Sequence, residues 1–209
     1  MLIAIMLAAA YLVGSIPTAV IAGRLLKGTD IRSQGSGNAG ATNAARILGF
    51  TAGLVVAAID LAKGLAAVLL VSLIAPLSGS AGPVLCGIAA VAGHVFPVFA
   101  GFRGGKGVAT SAGAAIALFP ALAPICLAAF LLAAALSRWV VVASLTAAFV
   151  LPAAYLVSCA FGAVFDPWRM VLGAAVFFIV VFTHHGNIAR LLRGEEKKLD
   201  FEALFRRRS

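Results

Sequence analysis

The repetition of long apolar runs constrains this chain more than any other feature. Segments at about 1–23, 51–75, 82–101, 108–126, 127–137, 139–161 and 168–185 carry almost no charge. An α-helix of about 20 apolar residues is what crossing the ~30 Å hydrocarbon layer of a bilayer requires. Turn signals such as "APLSGSAGP" and "FGAVFDP" separate some of the runs. Within the long stretch 108–161 the cuts come from Pro120 and Pro124, and then from Ser137 and Arg138. The expected architecture is an all-α integral membrane protein of about seven transmembrane helices, read as one domain over 1–209 with a charged tail at 195–209. Six helices is the competing count, because the piece near 125–137 is short for a span.

Charge placement gives the orientation. Of 209 residues 63% are hydrophobic and 11% charged, against roughly 25% charged in a soluble domain. The net charge of +9 raises the question of nucleic acid. In a seven-helix bundle, however, the hydrophilic segments 24–50, 102–107, around 138 and 186–209 fall on one side, and they hold every Lys and Arg except Lys63 and Arg169. The positive-inside rule then puts the amino terminus outside and the carboxyl terminus in the cytoplasm, with no nucleic-acid partner to invoke. The first run lacks a basic n-region and an A-x-A-like cleavage site, so it reads as a retained span. Cys86, Cys126 and Cys159 have neither C-x-x-C nor metal-type spacing and read as small core residues. No metal or cofactor is expected.

Polar clusters interrupt this pattern. Residues 33–46 read "SQGSGNAGATNAAR", and Gly35, Gly37 and Gly40 complete a G-x-G-x-x-G with Asp60 at the position of a ribose-binding acid. That fingerprint works only in a strand–turn–helix unit. Here it follows one membrane span, and Asp60 lies inside the next, so the dinucleotide reading fails. A loop of this kind still binds anions well: glycines let backbone N–H groups come close, Ser36, Asn38, Thr42 and Asn43 add hydrogen bonds, and Arg46 can fork onto phosphate oxygens.

A second loop, "GHVFPVFAGFRGGKGVATSAG" from Gly93, puts Gly104, Gly105 and Gly107 around Lys106 just before an apolar helix whose N-terminus favours negative charge. It is not a Walker A, since position 100 is Ala and position 107 is Gly. A third cluster, "THHGNIARLLRGEE" from Thr183, sets His184, Asn187 and Arg190 at three-residue intervals on one helical face. Inside the second span Asp60 and Lys63 share a face. They read either as a neutralising pair that tethers helices or as part of an active-site floor.

Together the clusters resemble the acyl-phosphate-dependent glycerol-3-phosphate acyltransferases of bacterial membranes. The family's S-G-N-x-G-A-T-N followed by Arg is matched by 36–43 and Arg46. Its G-H-x-F-P-x-F-x-x-F-x-G-G-K-G-V-A-T is matched from Gly93 through Thr110. Its H-x-x-N-I-x-R-L followed by G-x-E is matched by His184, Asn187, Ile188, Arg190, Leu191, Gly194 and Glu196. Two stretches depart. Thr183 stands where the family often has Arg, and "RWVVVAS" keeps Arg138 and Ser144 but has Val141 where the family's fourth stretch, R-Y-V-S-x-x-S, has its first serine.

The resemblance implies transfer of a fatty acyl group from acyl phosphate to the 1-hydroxyl of glycerol 3-phosphate, in the inner membrane of a bacterial cell with the site facing the cytoplasm. The lipid bilayer and the soluble enzyme that makes acyl phosphate are the implied partners. His184, Lys106 and Arg46 are the expected catalytic residues, and Ser36, Gly37, Asn38, Gly40, Thr42, Asn43, His94, Gly104, Gly105, Ser144 and Asn187 the expected substrate contacts. No H-x-x-x-x-D follows any histidine. Either His184 or the substrate's own phosphate is left to take the proton. The rival reading is a transporter of an organic phosphate with Asp60 and Lys63 as its coupling pair. Against it stand the absence of an inverted repeat and the gathering of the polar clusters on one face.

Overall fold

The structure, a computed structural model, describes residues 1–75 and 79–199. The described residues form helices joined by short loops, with no strand among them. The first apolar run is broken: α1 (Leu2–Gly14) and α2 (Thr18–Lys27) meet at Pro17, which has no N–H to continue a helix. After a 3-10 turn at Ile31–Ser33 come α3 (Ala41–Leu48), α4 (Phe50–Ile74) and α5 (Ala81–Val95). Then follow α6 (Val108–Leu118), α7 (Ala123–Ser137), α8 (Val140–Ala160), α9 (Pro167–Thr183) and the short α10 (His185–Leu192).

Four stretches among the described residues are long and apolar enough to cross a bilayer: Leu2–Lys27, Phe50–Ile74, Ala81–Ala100 and Val140–Ala160. A fifth arises if α9 and α10, bent by 57°, are taken as one broken span, while α6 and α7 are shorter apolar helices. The cuts at Pro120 and at Ser137–Arg138 both coincide with breaks between helices. The boundary placed at 126/127 does not: Pro124 lies in the first turn of α7, where a missing N–H costs nothing.

Glycines set the closest helix crossings. A Cβ on Gly64 of α4 would lie 1.9 Å from the Thr110 carbonyl of α6, and one on Gly113 of α6 would lie 1.9 Å from the Leu61 carbonyl of α4. Gly14 and Gly93 do the same for α1 and α5, each within 2.1 Å of the other helix's backbone. Small residues at such crossings let helices pack by direct backbone contact where lipid supplies no hydrophobic drive between them. Around these crossings Val84, Ala114, Leu151, Leu172 and Val176 form the main buried cluster. The outside is apolar too: Leu136, Phe149, Phe178 and Phe182 are all exposed, as a lipid-facing surface requires.

Asp60 and Lys63 do pair, Nζ to Oδ1 at 2.6 Å with both side chains buried. Thr18 Oγ1 donates to the same oxygen at 2.9 Å, Lys63 also donates to the Ile16 carbonyl at 2.6 Å, and His94 Nδ1 lies 3.6 Å from Asp60 Oδ1. The pair therefore ties α4 to the α1–α2 break and to α5, which the tethering reading anticipated.

Candidate active site

The loop after α2 owes its shape to two side chains. Asn43, fully buried in α3, accepts from the Ser36 backbone N–H at 2.9 Å through Oδ1 and donates through Nδ2 to the carbonyls of Ile31 and Gln34, at 2.9 and 3.1 Å. Arg32 forks onto Asp30, with Nη2 at 2.7 Å from Oδ2, and donates through Nη1 to the carbonyls of Ala100 and Arg103, at 2.7 and 3.1 Å. Its guanidinium holds the Asp30 carboxyl below the usual carboxylate range. It also braces the first glycine loop against the second.

The second loop doubles back on the helix that precedes it. Gly104 and Gly105 donate their N–H groups to the carbonyls of Val95 and His94 at 3.2 and 3.1 Å. Position 105 has no room for a side chain, because a Cβ there would sit 2.1 Å from His94 Nε2. Lys106 follows, ahead of the N-terminus of α6, and hydrogen-bonds the Asn187 side-chain oxygen. Asn187 Nδ2 donates to Glu196 Oε1 at 2.6 Å, and Arg190 Nε donates to Glu196 Oε2 at 2.8 Å. Burial pushes the Lys106 ammonium down to about 8, with Glu196 opposing the shift and Arg190 and Arg46 adding to it. His184, at the end of α9, directs Nδ1 at the Val180 carbonyl, 2.8 Å away. A carbonyl only accepts, so Nδ1 carries a proton, and in the neutral ring that leaves Nε2 as the accepting nitrogen.

The three clusters meet around one cavity of about 640 Å³. Ser36, Asn38, Gly40, Thr42, Arg46, His94, Lys106, Ser144, His184 and Asn187 all border it, and these are most of the residues singled out in the sequence. At its other end the walls are apolar, with Ile116, Leu127, Phe130, Leu151 and Val176 from α6 to α9. Four expected contacts stand elsewhere. Asn43 serves the loop backbone, as described, while Gly37 and Gly104 line a separate outer cleft with Asp30, Arg32 and Arg103. Gly105 packs on His94.

Sequence reasoning left two features out of the site. Arg32 lay in the loop without any motif signal. Glu196 carried one, as the last letter of the third motif, but residues 195–209 read as a tail. In the structure 195–199 return to the bundle. Trp139 Nε1 donates to the Glu196 carbonyl at 3.1 Å, Leu199 N–H donates to the Arg138 carbonyl at 2.6 Å, and Lys198 Nζ lies 5.0 Å over the Trp139 ring. This strap brings Glu196 and Lys197 to the cavity wall. The amphipathic reading based on Phe201, Leu204, Phe205 and the arginines 206–208 lies outside the described residues.

A bundle of apolar helices whose cavity joins cationic and hydrogen-bonding side chains to an apolar slot defines a membrane-embedded protein with a site of mixed polar and apolar character. Residues 4–194 match the sequence model of the family described as glycerol-3-phosphate acyltransferase. The chain is 45% identical to the glycerol-3-phosphate acyltransferase of Chlorobaculum tepidum, over 92% of this chain and 94% of that one. It is 43% identical to that of Chlorobium phaeobacteroides strain BS1, over 94% and 96%. Its fold is similar to the crystal structure of PlsY (YgiH), an integral membrane glycerol 3-phosphate acyltransferase, in its glycerol 3-phosphate form, with a TM-score of 0.86 at 33% identity over 99% of this chain and all of that one. The lysophosphatidic acid form of PlsY gives a TM-score of 0.85. The chain belongs to the glycerol-3-phosphate acyltransferase family: it is a multi-pass membrane acyltransferase of phospholipid synthesis.

Proposed function

We propose that this enzyme transfers a fatty acyl group from acyl phosphate to the 1-hydroxyl of glycerol 3-phosphate, giving lysophosphatidic acid and inorganic phosphate. It does so from a seven-span bundle in the bacterial inner membrane, with the amino terminus outside and the carboxyl terminus and cavity mouth in the cytoplasm. The observation that carries the proposal is the cavity's division into a cationic, donor-rich mouth and an apolar slot. The glycerol 3-phosphate and lysophosphatidic acid forms of the PlsY relative support the acceptor and the product. The topology rests on the basic residues at the mouth and on α6, α7 and the broken α9–α10 counting as spans. The soluble enzyme that makes acyl phosphate is the partner this donor requires.

In this scheme both phosphates are held at the mouth by Arg46, Lys106 and the glycine loops, and Ser36, Asn38, Gly40, Thr42 and Ser144 add donors around them. Asn43, Gly37, Gly104, Gly105 and His94 keep those loops in shape. The acyl chain runs into the slot. The 1-hydroxyl oxygen bonds to the acyl carbon, the bond from that carbon to the phosphate oxygen breaks, and phosphate leaves with the electron pair. The hydroxyl proton passes to His184 Nε2 or to the departing phosphate. Lys106, oriented by Asn187, steadies the growing charge on the leaving group, and positioning with electrostatics supplies most of the acceleration because the anhydride is already reactive.

The test is purified protein in lipid given acyl phosphate and glycerol 3-phosphate without coenzyme A or carrier protein. Lysophosphatidic acid and phosphate are the expected products. Turnover only with a thioester donor would overturn the assignment.

A further inference from the structure

Asp60 borders the cavity, yet its charge has the wrong sign for a phosphate site. Arg46, Lys106 and Lys197 are cationic, and the other carboxylate there, Glu196, is committed to Asn187 and Arg190. Asp60 is only 2% exposed, and its position owes nothing to substrate. Lys63 and Thr18 donate to Oδ1 at 2.6 and 2.9 Å, and the His94 contact at 3.6 Å is to that same oxygen. Among the described residues no hydrogen bond reaches Oδ2. A carboxylate held this way keeps one acceptor in reserve, and that acceptor repels phosphate and attracts a donor.

His94 sets the scale. It stands between Asp60 and the second glycine loop, with Nδ1 toward the carboxylate and Nε2 against Gly105, one residue before Lys106. Lys106, His94 and Asp60 all line the cavity, so an acceptor molecule whose phosphate meets Lys106 can lie along His94 with its hydroxyl end toward Asp60. Of the two hydroxyls, the reacting one has to turn toward the acyl carbon, which leaves its neighbour as the handle.

We infer that Asp60 Oδ2 accepts a hydrogen bond from the middle hydroxyl of glycerol 3-phosphate and so makes Asp60 a specificity-determining residue of the acceptor site. This rests on glycerol 3-phosphate being the acceptor. The ion pair with Lys63 then has two roles, joining helices and presenting a fixed acceptor oxygen. A bound ketone at the middle carbon, which has no donor, leaves that oxygen unmatched, so the site selects an alcohol over a ketone there.

The experiment compares kcat/KM for glycerol 3-phosphate with that for 3-hydroxypropyl phosphate, the same acceptor without its middle hydroxyl, in the intact enzyme in lipid. The wild type is expected to favour glycerol 3-phosphate roughly ten- to hundredfold, the range for a lost hydrogen bond to a buried charged group. Asp60→Asn combined with Lys63→Gln removes both charges together and should bring that ratio close to one. A purely tethering role would lower the amount of folded protein and leave the ratio intact. Asp60→Glu keeps the charge and shifts the oxygen, so it should also change the ratio, and it covers the case in which the double variant does not fold. Equal use of both acceptors by the wild type, or an unchanged ratio in a folded variant, overturns the inference. Failure of the wild type to acylate glycerol 3-phosphate would instead overturn the reading it rests on.

Discussion

The molecule holds two charged networks that look alike on paper and behave differently. Around Asp60 a carboxylate meets Lys63, Thr18 and His94 inside the bundle, and the charges balance. Around Lys106, among the described residues, a single carboxylate, Glu196, faces Arg190 and Lys106, with Arg46 and Lys197 also on the cavity wall. The second network has cations to spare. Balance is what a network buried in lipid needs in order to exist at all, whereas surplus positive charge in a partly dry cavity makes sense only if an anion completes it. The difference separates a network that is complete without a ligand from one that is not, and it does so without any motif.

Removing the surplus should give the largest effect. Lys106→Ala and Arg46→Ala are each expected to lower kcat/KM about a hundredfold or more, as loss of one preorganised charge contact does, with the thermal midpoint nearly unchanged. Substantial activity in both variants would break the comparison at its functional end.

Unbalancing the other network should damage the fold instead. Lys63→Met leaves Asp60 buried without its cation, and loss of one partner of such a pair costs about 3–5 kcal/mol. A lowered midpoint and poor recovery from detergent are the measurements. A variant as stable as wild type would show that the pair is not a tether.

The Lys106 ammonium, held down to about 8 by burial, predicts a pH dependence. The cation is present below that value and is lost as pH rises through it. KM for glycerol 3-phosphate should therefore climb above pH 8, while Lys106→Arg, which stays charged, should flatten that limb. Bound phosphate favours the cation and moves the limb upward. A flat wild-type profile would remove Lys106 from anion binding.

The smallest effect tests the strap. Trp139→Phe deletes the donor to the Glu196 carbonyl, a loss of about 1 kcal/mol. It should loosen Glu196 and raise KM by roughly fivefold with little change in stability.

Much of the site could be read in advance because its parts are local. Ser36, Asn38 and Arg46 lie within one turn-and-helix unit, as do His184 and Asn187, and glycines beside a lysine signal an anion loop at any depth. Asn43 could not be separated from its neighbours by the same reasoning, since an amide that holds a loop and one that holds a ligand have the same letter. Only its hydrogen bonds to Ser36, Ile31 and Gln34 distinguish them. The break at Pro17 and the return of residues 195–199 were missed for related reasons. A proline inside an apolar run leaves hydropathy unchanged, and a charged tail looks solvated until Arg138 and Trp139 bind it.

The sequence alone determined the solvent and the class of structure, because about 20 uncharged residues in succession have few places to go except across a bilayer. It also determined which ends are polar and which residues suit phosphate. Tertiary structure decided what these parts do together. It set the close crossings at Gly64 and Gly113 and at Gly14 and Gly93, the approach of His94 to Gly105 and the return of Glu196 to the cavity wall. It also set Asp60 on the wall of the cavity. Each of these is a distance between residues far apart in the chain, fixed by backbone packing in three dimensions, and no local pattern encodes such a distance.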